Sequence, residues 1–93
     1  MGKISIIKYE VEPMTSGEAV RQRIIELCRQ HDLNINQLSI LCGITQSTIN
    51  NIVSGRNRST TVSTIQKICD GLNLSIRDFF ASDLFLQVEQ EIK

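Results

Sequence analysis

Gly43-Ile44-Thr45-Gln46-Ser47-Thr48-Ile49 decides how this 93-residue chain is read. Glycine takes a left-handed backbone at no steric cost, so Gly43 is suited to end one helix. Thr45, only two residues on, is a good N-cap for the next. Two short helices joined by so tight a turn form the unit that places the second helix in a DNA major groove. That second helix opens with Gln46 and Ser47, polar side chains to which the pattern assigns no packing duty.

Helical periodicity extends outward on both sides. Upstream, Asn34 followed three positions later by Gln37 has the form of a capping box, which predicts a helix over Ile35–Cys42 closed by Gly43. Downstream, the helix capped by Thr45 is predicted to run to about Val53, stopped by Ser54-Gly55. Its inward positions are Thr48 or Ile49, then Ile52 and Val53; Gln46, Ser47, Asn50 and Asn51 face outward.

A first helix is predicted from about Glu18 to His31, capped by Ser16 or Gly17, with Val20, Ile24, Leu27 and Cys28 on one stripe. Arg21, Gln22, Glu26, Arg29 and Gln30 are read as facing water. Beyond a polar loop at 56–60, Thr61 caps a fourth helix with Val62, Ile65, Ile68, Cys69 and Leu72 as its stripe, ended by Gly71 and Asn73. Ser75 caps a fifth, with Ile76, Phe79 and Phe80 apolar, and Asp83 caps a last segment, Leu84–Lys93, read as helix because Phe85, Val88 and Ile92 share a side. Residues 3–12 alternate like an extended arm, broken by Pro13, and the sequence leaves Met1 and Met14 both open as the start. The expected organisation is an arm over 1–15, a helical domain over 16–82 and a helical tail over 83–93, all-α with five main helices.

Composition narrows the function. No run approaches the roughly 20 apolar residues of a membrane span, and the N-terminus lacks a secretory pattern, so a cytoplasmic protein is expected. The three cysteines, Cys28, Cys42 and Cys69, form no C-x-x-C pair and read as buried thiols rather than a metal site. With one histidine (His31), no P-loop and no nucleophile–base pair, neither catalysis, a cofactor nor a small-molecule site is expected. The formal net charge is zero, but residues 33–69 hold Arg56, Arg58 and Lys67 without an acid, while 70–93 hold five acids against two bases. A polyanion is therefore tolerated only at the middle of the chain.

Base edges in a major groove are read by amides and hydroxyls on an entering helix. Gln46 suits an adenine edge, Asn50 or Asn51 the same one turn deeper, and Ser47 a base or phosphate. Phosphates call for free backbone N–H groups and cations, which points to Asn36 at one helix start, Thr45 and Thr61 at two others, and Arg56, Asn57 and Arg58 in the loop. The absence of Arg and Lys on the reading face favours A·T-containing sites.

The run Leu33 to Ile49, then Ser54-Gly55-Arg56 and Thr64 to Ile76, resembles the phage-repressor and Cro-like helix-turn-helix family of bacterial regulators, the XRE family. The resemblance implies a lambda-repressor-like domain of five helices that binds double-stranded operator DNA, as a homodimer, and acts in transcription by occupancy. By position it implies base readers at Gln46, Ser47 and Asn51 and phosphate contacts at Asn36, Arg56 and Arg58. Where the family pairs an Arg late in the first helix with a Glu late in the third, this chain has Cys28 and Val53, and Thr60 replaces a loop proline. Ile40 and Leu41 are apolar where the second helix is usually polar, which leaves open scattered surface residues and favours cover by the arm or by a second subunit. An antitoxin-like interaction module that also binds DNA is the alternative reading.

Overall fold

The computed structural model describes residues 14–56, 59–90 and 92. The predicted arm over 3–12 lies outside the described residues. Five α-helices follow in order: α1 Ser16–Gln30, α2 Ile35–Cys42, α3 Gln46–Val53, α4 Val62–Leu72 and α5 Ile76–Phe79. Each begins where a short side chain can take a first-turn N–H. Thr15, Asn34, Thr45, Thr61 and Ser75 are the five N-caps, all with extended backbone. Only the first differs from expectation: Thr15 displaces Ser16 and Gly17, and α1 starts two residues earlier than Glu18.

The apolar stripes converge on one core. Val20, Ile24 and Leu27 of α1 meet Leu38 and Cys42 of α2, Ile49 and Ile52 of α3, and Ile65, Ile68 and Leu72 of α4. Phe79 is fully buried and closes the bottom of the core from α5. Val62 departs from the predicted stripe: as the first residue of α4 it lies ahead of the turn that reaches the core and is 69% exposed. Ile76 and Phe80 are also only partly covered, so α5 buries one large side chain rather than three. Ile40 and Leu41 stand exposed on α2.

Gly71 does not end α4; it lies inside it, and Asn73, with φ 59, is the left-handed cap. The glycine marks a close crossing. A Cβ at position 71 would stand 2.7 Å from Cys42 Sγ, 2.8 Å from the Leu41 carbonyl oxygen and 3.0 Å from Cys42 Cα. The crossing locks α2, the first helix of the turn motif, onto α4.

The tail is the largest departure from the sequence reading. A 3-10 helix covers Asp83–Gln87, and Val88 is extended (φ −70, ψ 127). Met14 N–H donates to the Gln87 carbonyl at 3.2 Å, and Glu89 N–H donates to the Met14 carbonyl at 2.8 Å. These bonds pair Met14 with Val88 as an isolated parallel bridge. The predicted helix from Leu84 is thus a short 3-10 turn, capped by Ser82 rather than Asp83, and does not continue through residues 88–90; residues 91 and 93 lie outside the described residues. Phe85 packs its ring against Phe79 and Phe80, with centroids 6.2 and 4.8 Å apart.

All three cysteines are free; Cys42 and Cys69 are buried and Cys28 is half-buried. Burial, reinforced by the neighbouring thiols of Cys28 and Cys69, pushes the Cys42 thiol up to about 11. Burial also raises Cys28 and Cys69. Such thiols are protonated at neutral pH and weak nucleophiles. No described helix is long and apolar enough to cross a membrane.

Candidate nucleic-acid interface

The turn between α2 and α3 is built from three local devices. At the start of α2, Asn34 Oδ1 accepts from Gln37 N–H at 2.8 Å and Gln37 Oε1 accepts from Asn34 N–H at 2.9 Å, the reciprocal capping box. At its end Gly43 sits at φ 67, ψ 31, and its N–H donates to the Ser39 carbonyl. Two residues later Thr45 Oγ1 accepts from Thr48 N–H at 3.2 Å and starts α3. Ile49 and Ile52 anchor α3 in the core, which fixes the face it turns outward.

That face carries the four predicted base readers. Gln46, Ser47 and Asn50 are exposed and Asn51 is half-buried. Together with Ser54 and Arg56 they line a single cleft of about 520 Å³. Among the described residues no carboxylate borders it. The nearby hydrogen bonds run to caps and backbone, such as Ser54 Oγ donating to the Asn51 carbonyl at 3.3 Å. The side-chain amides of residues 46, 50 and 51 make none of these bonds among the described residues.

The predicted phosphate contacts divide into three groups. Asn36 is exposed in the first turn of α2, where its own N–H and that of Ile35 are helix-start donors outside the capping box. Arg56 is exposed and shares the cleft with the readers. Thr45 and Thr61 are exposed, but each hydroxyl already donates within its cap, to Thr48 Oγ1 at 2.8 Å and to Thr64 Oγ1 at 3.0 Å. These two positions therefore offer first-turn backbone N–H groups more readily than hydroxyl protons. Asn57 and Arg58 lie outside the described residues.

Two features escaped the sequence pattern. The first is a second cleft of about 790 Å³ on the other flank of α3, sharing Gln46 and Asn50 with the first. Its floor is apolar, with Ile25, Cys28, Leu33, Ile35 and Val53, and its rim polar, with Arg29, Asp32, Asn34 and Asn36. Cys28 and Val53 both line it, so the apolar replacement of the family's ion pair leaves an open hollow rather than a buried charge.

The second is the work of the α1 arginines. Arg21, read as facing water, instead donates through Nε to the Val53 carbonyl at 2.7 Å while Nη1 pairs with Glu18 at 2.8 Å. A cation thus satisfies the last turn of α3, where the helix dipole is negative. Arg23, which the pattern left unassigned, is buried and donates to the carbonyls of Phe79 and Asp78 at 2.7 and 2.9 Å. Its Nη1 also pairs with Glu26 at 2.7 Å, and Glu26 accepts from Ser82 Oγ. Arg23 thus holds the end of α5 and the tail onto α1. Arginines at i and i+2 on an otherwise amphipathic helix were the available signal, since both cannot share one solvent face with the stripe.

An all-α domain with a glycine turn, an outward polar helix and, among the described residues, a cleft without acids beside it has the architecture of a helix-turn-helix domain. The chain belongs to the Cro/C1-type HTH DNA-binding domain family, which matches residues 23–82. It is similar to the crystal structure of the prophage Lp1 protein 11, with 41% identity, a TM-score of 0.66, and coverage of 73% of this chain and 90% of that one. Comparison with curated proteins gives no match.

Proposed function

We propose that the chain is a sequence-specific transcriptional regulator that docks α3 in the major groove of operator DNA and works as a homodimer, by occupancy and without catalysis. One observation carries this reading: Gln46, Ser47, Asn50 and Asn51 line a single cleft with Arg56 and, among the described residues, no acid. In this reading Gln46 and one of the two asparagines accept and donate to adenine edges, and Ser47 contacts a base or phosphate. The free N–H groups at the start of α2 and the guanidinium of Arg56 hold the backbone on either side. Two copies on half-sites about 34 Å apart, one turn of DNA, supply the affinity that so few cations cannot.

Selection of bound sequences from a random duplex pool, followed by titration of the recovered site, tests this. The expected outcome is a palindrome-like, A·T-containing site whose preference over a single-base variant drops by about 1–3 kcal/mol in Gln46→Ala. Failure to enrich any sequence at low salt, or equal enrichment by wild type and Gln46→Ala, overturns it.

A further inference from the structure

Gln46 and Asn50 belong to both clefts, so the side chains that read bases form a ridge with a hollow on each flank. DNA whose base edges meet the ridge must place chemical groups in both. One flank is polar, with Ser47, Asn51 and Arg56. The other opens onto Leu33 and Ile35, both partly buried and packed against the core.

Ile35 is the first residue of α2, and its remaining surface faces this hollow. Its neighbour Asn34 cannot swing across to make the floor polar, because both arms of the capping box hold it. At the α1 end Arg29 and Asp32 cancel in formal charge, so no net charge draws a phosphate inward. Among the groups that base pairs display in a major groove, only one is apolar: the 5-methyl of thymine.

We infer that Ile35, across the cleft from Gln46, is a specificity-determining residue that receives the methyl group of one thymine in each half-site. This rests on the DNA-reading function proposed above and adds a methyl contact from α2 to the amide contacts of α3. It makes helix α2 a reader of sequence as well as a clamp on phosphate.

The test uses the full chain and the site recovered by selection. Each thymine is replaced in turn by deoxyuridine, which removes the methyl and leaves every hydrogen-bonding group in place. Affinity is read by fluorescence anisotropy for wild type, Ile35→Val and Ile35→Ala, each checked for folding by circular dichroism. At one thymine per half-site the replacement weakens wild type about fourfold, the worth of one buried methyl. The effect shrinks in Ile35→Val and vanishes in Ile35→Ala, while all other thymines respond alike in the three proteins. Loss at that thymine that persists in Ile35→Ala overturns the assignment, as does a half-site in which no thymine responds. Should Ile35→Ala not fold, an Ile35→Val profile identical to wild type overturns it equally. Failure to recover any site removes the DNA-reading function itself and is distinguishable from these outcomes.

Discussion

Gly71→Ala sets two effects of opposite sign against each other, and the structure decides between them. Position 71 lies in the last turn of α4, where alanine is favoured over glycine by at most about 1 kcal/mol. On propensity alone the variant is stabilised. The added methyl, however, would sit 2.8 Å from the Leu41 carbonyl oxygen and 3.0 Å from Cys42 Cα, both backbone atoms, besides 2.7 Å from Cys42 Sγ. The sulfur can rotate away, but backbone of α2 can yield only if the two helices separate. Separation at a packed crossing loosens Leu38, Cys42, Ile68 and Leu72 together. Overpacking of this kind costs about 1–3 kcal/mol, and the upper part of that range applies when backbone must move. The net expectation is a loss of about 1–2 kcal/mol, which in a domain of this size lowers Tm by roughly 4–16 °C. Urea and thermal unfolding of the full chain measure it. An unchanged or raised Tm in Gly71→Ala would show that the crossing is looser than described and would refute the reasoning.

Arg23→Met leaves the carbonyls of Phe79 and Asp78 without their guanidinium donors, and a loss of about 3 kcal/mol is expected, read as a lower urea midpoint. A loss under about 0.5 kcal/mol would mean water replaces the arginine freely. Gly43→Ala meets open space but must hold φ 67, so it costs about 1–2 kcal/mol through backbone strain alone and, unlike Gly71→Ala, is rescued by Gly43→Asn. Arg56→Ala reduces the slope of log K against log salt by about 1 while leaving the preferred sequence unchanged; a changed sequence preference would reassign Arg56 from phosphate to base. For Cys42 the folded-state value near 11 exceeds the unfolded value of about 8.5, so its contribution to stability is complete below about pH 8.5 and is lost as pH rises towards 11. Urea midpoints across that window should fall in wild type and fall less steeply in Cys42→Ala.

Local signals were read well where one residue's chemistry settles the outcome. Asn34 with Gln37, Gly43, Thr45, Thr61 and Ser75 each determine a helix end through their own hydrogen bonds or backbone preference, and all five stand where the sequence places them. Signals that depend on a distant partner are not legible in the sequence. Phe85, Val88 and Ile92 recur with helical spacing, yet Met14, more than seventy residues away in sequence, takes the hydrogen bonds of Gln87 and Glu89 and ends the helix. Gly71 looks like a helix terminator from the inside of α4, and only the nearness of Leu41 and Cys42 reveals it as a crossing point. Arg21 looks like a surface charge, and Arg23 has no evident place, until the carbonyls of Val53, Asp78 and Phe79 are in position. The amides of the candidate interface were legible because outward facing is a property of α3 alone, whereas the second cleft is made by three helices and the loop between two of them.

The same arginines explain how a chain of zero net charge is arranged to meet a polyanion. Arg21 and Arg23 are engaged by backbone carbonyls and by Glu18 and Glu26, so these two cations of α1 are withdrawn from phosphate and the acids beside them are already neutralised, while Arg29 stays exposed at the end of α1 on the rim of the second cleft. Lys67 is exposed on α4, and Arg56 is the cation that lines the reading cleft among the described residues. With so little charge at the ridge, attraction to DNA of arbitrary sequence is weak, because that attraction scales with the number of phosphates neutralised. The contacts available to Gln46, Ser47, Asn50 and Asn51 are uncharged and depend on matching donors with acceptors. Under the proposed function their contribution is therefore nearly independent of salt and strongly dependent on sequence. Under the proposed function, low general affinity and high discrimination follow from one division of labour: Arg21 and Arg23 hold the fold together, and the neutral side chains of α3 are left to read.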